Sequence, residues 1–299
     1  MTAKERFLVL WRMLRPFSLT ASLIPVLTGA ILALTEGRFH GGRFAAFMVA
    51  AILIQGATNM FNEYFDYKRG LDTHEHVGIA GTIVRDGVRP QTVLTIAWLF
   101  AGTAVAIGLY ISGTTSWWVF ATGLVCIGVA YIYSAGPMPL AYTPFGELAA
   151  GFTMGPVIIL LVYYTQAGAL SLSALLVAQP IGLLIAAILM GNNIRDMEAD
   201  RLGGRRTLAI LLGRRSASIL FATFFALTYL ISIGLILAGV LSPWSLLVLV
   251  TAPSAYQVAR LFFLHTDPPK LHPAVKGTAQ LLARFGAVLV ASMLVSVWW

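Results

Sequence analysis

Repetition of long apolar runs is what most constrains this chain. Nine stretches, at roughly 17–36, 43–62, 91–112, 116–134, 146–165, 171–191, 216–239, 243–262 and 279–298, are each about 20 residues long and nearly free of charge. A helix of that length crosses the hydrocarbon core, and it satisfies every backbone polar group within one segment. Hydrophobic residues make up 58% of the chain and charged residues 11%, which excludes an ordinary soluble domain. The expected fold is therefore all-α: a polytopic membrane helix bundle of about nine transmembrane helices, one domain over residues 1–299. Pro253 interrupts the eighth run, and neighbouring helices can satisfy the backbone group it frees. The first run follows basic residues, yet it is long and lacks a convincing cleavage site, so it reads as a first span. Cys126, the single cysteine, lies inside an apolar run and reads as a small buried hydrophobe; no disulfide framework exists.

A net charge of +8 would suggest nucleic acid if the bases were gathered on one face. They lie in inter-helix loops instead, and they alternate. With the N-terminus inside, seventeen of the twenty Lys and Arg face the cytoplasm, and only Arg38 and Arg43 lie outside. Arg284 falls within the last span. The positive-inside rule then gives an N-in, C-out integral protein of the cell (inner) membrane. Trp117 and Trp118 would anchor the fourth helix at the outer interface, and Trp298 and Trp299 the last.

Acids are rarer and more telling. Seven of the twelve Asp and Glu fall into two clusters, Glu63, Asp66, Asp72, Glu75 and Asp196, Glu198, Asp200. Each cluster closes an apolar run and opens one of the two long loops, 63–90 and 192–215, both cytoplasmic in this topology. Carboxylates at a bilayer are expensive and mark function by default. Asp196 and Asp200 are one helical turn apart and share a face with Asn192. Asn59, Asn62 and Asp66 follow related spacing, and Gly70 allows Asp72 to fold back towards Asp66. Two like charges on one face need a cation, and an oxygen-only set points to Mg2+. Lys68, Arg69, Arg195, Arg205 and Arg206 interleave with these acids. Each base alone satisfies topology, but the group suggests a diphosphate clamp. The clusters close the second and sixth spans, which hints at an internal repeat of a four-helix unit. His74 and His76 flank Glu75, but no third His stands near, so a zinc site is disfavoured. His265 and His272 read as exposed loop residues. Gly151 and Gly155 read as a close-packing pair.

The run Asn59-Met-Phe-Asn62-Glu63-Tyr64-Phe-Asp66-Tyr-Lys-Arg-Gly70-Leu-Asp72 resembles the first Asp-rich motif of the UbiA superfamily of intramembrane prenyltransferases. Asn192-Asn193-Ile-Arg195-Asp196-Met-Glu-Ala-Asp200, with Arg205-Arg206-Thr207 after it, resembles the second. Arg15-Pro16 and Gly136-Pro137-x-Pro139-Leu-Ala-Tyr142 with Gly146-Glu147 are similar to the 1,4-dihydroxy-2-naphthoate polyprenyltransferase branch. The resemblance implies a central cavity capped by the cytoplasmic loops. It implies Mg2+, two ions, held by Asn62, Asp66, Asp72, Asn192, Asp196 and Asp200. The partners implied are a polyprenyl diphosphate, an aromatic acceptor and the bilayer, without nucleic acid. The expected reaction breaks the allylic C–O bond, and the acceptor ring attacks the resulting cation, the naphthoate losing carbon dioxide to give demethylmenaquinol. Tyr64, Tyr131 and Tyr133 are candidates to stabilise that cation. Arg15 is a candidate for the acceptor carboxylate. Glu147 either takes part at the acceptor or partners a helix N-terminus. Other acceptors of the superfamily (4-hydroxybenzoate, homogentisate, chlorophyllide, haem or glycerol-phosphate types) remain alternatives, as more remotely does a secondary transporter or cation channel, whose sites lie nearer the midplane.

Overall fold

The computed structural model describes residues 3–72 and 81–297. Glu75, His74, His76, Trp298 and Trp299 lie outside the described residues. The described chain is helical: α1 (Ala3–Leu14), α2 (Thr20–Thr35), α3 (Gly41–Lys68), α4 (Thr82–Arg85), α5 (Pro90–Gly113), α6 (Trp117–Ser134), α7 (Gly146–Ala167), α8 (Leu172–Arg195), α9 (Met197–Leu202), α10 (Leu208–Leu237), α11 (Pro243–Leu264) and α12 (Pro268–Val295). Eight of these are long and apolar enough to cross a bilayer. The ninth expected span is α2, also apolar but only 16 residues long. It is short because the chain turns before it. Arg15 takes a positive φ of 48°, and tight turns through Ser18 and Leu19 delay the helix to Thr20.

Outward-facing apolar side chains such as Val125, Leu230 and Val250 are more than half exposed, as a lipid-facing surface requires. Trp117 and Trp118 are exposed at the start of α6. Pro253 falls where α11 changes from a 3-10 start (Pro243–Thr251) to an α-helix, so it sits in a first turn and breaks nothing.

Several helices run past the spans read from hydropathy. α3 continues to Lys68 and α8 to Arg195, so Asp66 and Asn192 stand on helix ends rather than in loops. Gly70, with a φ of 74°, stops α3, and the Leu71 N–H returns to the Asp66 carbonyl at 3.0 Å. The second long loop is largely replaced by α9 and the start of α10.

The two motif-bearing helices are packed alike. α3 makes its most extensive contact with α5, and α8 makes its own with α10. This pairing is consistent with the internal repeat. Within the second half, α7 is drawn against α8 by bare backbone: a Cβ at Gly155 would lie 2.6 Å from the Gly182 Cα, and one at Gly151 2.9 Å from the Gly182 carbonyl. A π-turn, Thr153–Val157, and Pro156 lie in that contact. With α7 held on α8 and α2, the interior between α3, α6 and α7 stays open.

Candidate active site

A cavity of about 1350 Å³ occupies this interior. It runs from Asp66, Asp196, Asp200 and Arg205 at one end to Ile111, Ser112 and Val119 near the other. Along α6 its wall extends from Tyr133 to Val119, about 21 Å at 1.5 Å per residue. The deep end is closed by Ile111, Val119 and Leu161 packed together. Most of the wall is apolar, and the charge is concentrated at the motif end.

The first motif descends along one stripe of α3. Asn62, Asp66 and Asn59 line the cavity, with Gln55 a turn further in, and Asp72 joins the wall beyond Gly70. Arg15 Nη1 donates to Asn62 Oδ1 at 3.0 Å, and Asn62 Nδ2 donates to Asp66 Oδ2 at 3.1 Å. Burial pulls the Arg15 guanidinium below its ordinary value, while Glu63, Asp66 and Asp72 push back. The second motif spans a break. α8 ends at Arg195, Asp196 caps it and α9 begins at once, and the Asp200 N–H returns to the Asp196 carbonyl at 2.8 Å. Arg195 lies along Asp196, and its Nη1 meets His272 Nδ1 at 3.3 Å.

Arg205 joins the motifs. Its Nη2 lies 2.8 Å from Asp66 Oδ1 and its Nη1 3.0 Å from Asp200 Oδ1. The guanidinium also sits over the Tyr142 ring at 5.0 Å. Burial opposes its charge, but Asp66 and Asp200 outweigh that and hold it above its ordinary range. Asp200 is pushed up to about 6, chiefly by burial, with Arg205 pulling the other way. Among the described residues, no three His, Cys, Asp or Glu form a metal-holding group by themselves. The donors are instead carboxylates mixed with Asn amides. Asn192 Oδ1 and Asp200 Oδ2 are buried without a hydrogen-bond partner, as oxygens awaiting a cation would be. Such hard oxygens fit Mg2+, which completes its shell with water and substrate phosphate.

Several side chains expected at the site are elsewhere. Tyr131 packs edge-on to Phe61 at 5.2 Å and against Trp98 at 5.3 Å, and Tyr64 packs on Phe65, both off the cavity wall. Tyr133 is on the wall, and two residues on a helix are about 200° apart, so Tyr131 must point away. Lys68 and Arg206 are exposed and off the wall. Arg69 donates to the Ser134 and Gly136 carbonyls at 2.6 and 3.0 Å, fastening α3 to the end of α6. Asn59 reaches the wall, but both amide hydrogens are used, on Leu14 O and Ser18 Oγ at 2.8 Å each. Glu63 points away to cap α4: its Oε1 accepts from the Thr82 N–H, the Thr82 hydroxyl and the Ile83 N–H. Glu147 is buried behind the wall, where it accepts from Asn193.

Other wall residues were not anticipated. Ser18, Ser22, Gln55, Asn193, Arg214 and His272 all line the cavity, and His272 is helical rather than in a loop. Gln55 carried a readable signal, a lone amide four residues before Asn59 within an apolar run. Cys126, expected to be buried, lines the cavity and is only partly buried.

Known proteins resemble this chain in sequence and in fold. The sequence profile of the UbiA prenyltransferase family covers residues 22–298. The 1,4-dihydroxy-2-naphthoate octaprenyltransferase of Bacillus subtilis is 43% identical over 96% of this chain and 93% of its own. The enzyme of the same name from Mycobacterium tuberculosis is 32% identical over 82% of each chain. Among solved structures, an apo UbiA homologue from Aeropyrum pernix superposes with a TM-score of 0.70 at 18% identity, over 91% of this chain and 98% of that one. A UbiA homologue from Archaeoglobus fulgidus bound to DMAPP and Mg2+ gives 0.59 at 16% identity, over 94% and 98%.

Proposed function

The chain belongs to the UbiA prenyltransferase family, and from that premise we propose that it transfers a polyprenyl group from its diphosphate to 1,4-dihydroxy-2-naphthoate, with loss of carbon dioxide. The product is demethylmenaquinol, which places the protein in menaquinone biosynthesis. The reaction type rests on one observation: two acid motifs, bridged by Arg205, stand at the end of a long apolar cavity. A charged head and an apolar tail are what that cavity suits. The acceptor rests on the 43% identity to the Bacillus subtilis enzyme. The active site faces the cytoplasm in this proposal, because the motif end carries most of the bases. All the residues form one catalytic domain.

Asn62, Asp66, Asp72, Asn192, Asp196 and Asp200 would hold Mg2+, two ions in this reading, which when bound neutralises charge growing on the diphosphate. Arg205 and Arg195, now spent on carboxylates, turn to phosphate oxygens as the leaving group gains charge. Arg15 orients Asn62 and faces the same end of the cavity, where it meets the diphosphate or the acceptor carboxylate. Of the three tyrosines considered, Tyr133 is the one on the cavity wall and so the one available to the allylic cation. The apolar wall keeps water from that cation. The acceptor ring carbon bonds to the prenyl C1, the C1–O bond to diphosphate breaks, and the carboxylate departs as carbon dioxide, leaving its electron pair on the ring.

The test is purified protein with Mg2+, a polyprenyl diphosphate and 1,4-dihydroxy-2-naphthoate, read by mass spectrometry beside 4-hydroxybenzoate. A decarboxylated prenyl-naphthoquinol is expected. Prenylation of the benzoate alone would overturn the acceptor, and no transfer to any ring would overturn the reaction.

A further inference from the structure

Glu147 is a buried acid, 2% exposed in the first turn of α7. One oxygen, Oε1, accepts from Asn193 Nδ2 at 2.9 Å, and Oε2 is buried with no partner. A carboxylate kept in an apolar layer with one hydrogen bond is costly, and packing does not call for it. It is not on the cavity wall, but Asn193 is.

A carboxylate oxygen only accepts, so the NH2 of Asn193 must face Glu147. The amide cannot rotate without setting oxygen against oxygen. Asn193 lines the cavity, as Tyr133 and Leu189 do, and Oδ1 is the amide atom that its bond to Glu147 leaves for the cavity, one turn before Asp196. Asn192, its neighbour, is committed differently. It bonds its own helix through Ile188 O and keeps its Oδ1 unpartnered, the oxygen assigned above to the cation. Of the two adjacent amides, only Asn193 is locked by a residue from another helix.

We propose that Asn193 Oδ1 receives a hydroxyl of the aromatic acceptor, and that Glu147 is the positioning residue that holds the amide in that orientation. A fixed acceptor of this kind binds rings bearing a hydroxyl donor and raises the electron density of the ring that attacks. No proton leaves the hydroxyl to Asn193, and no bond to the protein forms. Ala141, Ala149 and Ala150 leave room on this side of the cavity for a flat ring. The inference rests on the prenyl-transfer reading and adds the residue that recognises the acceptor.

The test is steady-state kinetics of the full chain in lipid nanodiscs with Mg2+, a polyprenyl diphosphate and 1,4-dihydroxy-2-naphthoate. In Asn193→Ala, KM for the naphthoate should rise about tenfold, the worth of one hydrogen bond, with KM for the diphosphate unchanged. Against an analogue in which the contacted hydroxyl is hydrogen, the variant and the unsubstituted chain should behave alike. Glu147→Ala should match Asn193→Ala, Glu147→Gln should recover most of the loss, and the double alanine variant should be no worse than either single one. Additive effects, an equal rise in both KM values, or the same loss with every analogue would overturn the proposal. Should Glu147→Ala fail to fold, Asn193→Ala against the analogue series decides alone. If the unsubstituted chain prenylates no ring, the reaction itself falls; if it prenylates normally and Asn193→Ala keeps its KM, only this inference falls.

Discussion

Replacing Arg205 with alanine isolates what holds the two motifs together. The guanidinium makes both inter-motif ion pairs, at 2.8 and 3.0 Å, and its side chain is 14% exposed against 15% for Asp66 and 9% for Asp200. Groups this far from solvent are weakly screened. Removal leaves two carboxylates facing each other without a cation, and breaking a buried pair from one side costs about 3–5 kcal/mol. Partial exposure and loss of the Tyr142 contact argue for the lower end, so we expect about 3 kcal/mol without divalent ions. The deficit should depend on pH. Asp200 is raised to about 6, so in the folded state its protonated form is favoured; stability is full below the ordinary value near 4 and is lost as pH rises through about 6. Without Arg205 the acid rises further, so the deficit is largest near pH 8 and shrinks towards pH 5. Added Mg2+ should then stabilise Arg205→Ala more than the unsubstituted chain, because a metal replaces the missing charge. Thermal melts in detergent with and without Mg2+ measure all three effects. A deficit below about 1 kcal/mol, the surface-pair range, or no difference in Mg2+ response, would refute the bridge.

Asp66→Asn and Asp196→Asn should each abolish prenyl transfer while the melting temperature stays within a few degrees; full activity in either would remove the metal role assigned to the motifs. Glu63→Ala should loosen the segment around Thr82–Arg85, costing about 2 kcal/mol through three lost hydrogen bonds, visible as new proteolytic cutting there. Tyr131→Phe should leave turnover within about twofold, since its ring packs away from the cavity, whereas Tyr131→Ala should cost about 3 kcal/mol of stability. A large kinetic defect in Tyr131→Phe with an unchanged donor KM would return that residue to the site.

Much of this protein is legible in its sequence. Nine apolar runs correspond one to one with α2, α3, α5, α6, α7, α8, α10, α11 and α12, because crossing a bilayer sets both length and composition. Asn62, Asp66, Asp72, Asn192, Asp196 and Asp200 reach one cavity, because a carboxylate or amide at the end of an apolar run is too costly to be incidental. What sequence could not decide is rotation. In a soluble helix a polar face reports which side is buried; here lipid and core are equally apolar, and that signal vanishes. Tyr131 and Tyr133, Lys68 and Asp66, Glu63 and Asn62 look interchangeable in the chain, yet one of each pair enters the cavity and the other does not. The polar contacts that matter most join residues far apart in sequence: Arg205 to Asp66 across 139 positions, Arg15 to Asn62 across 47, and Glu147 to Asn193 across 46. Only tertiary packing sets those partners within hydrogen-bonding distance, as the close approach of α7 to α8 through Gly151, Gly155 and Gly182 does for Glu147 and Asn193.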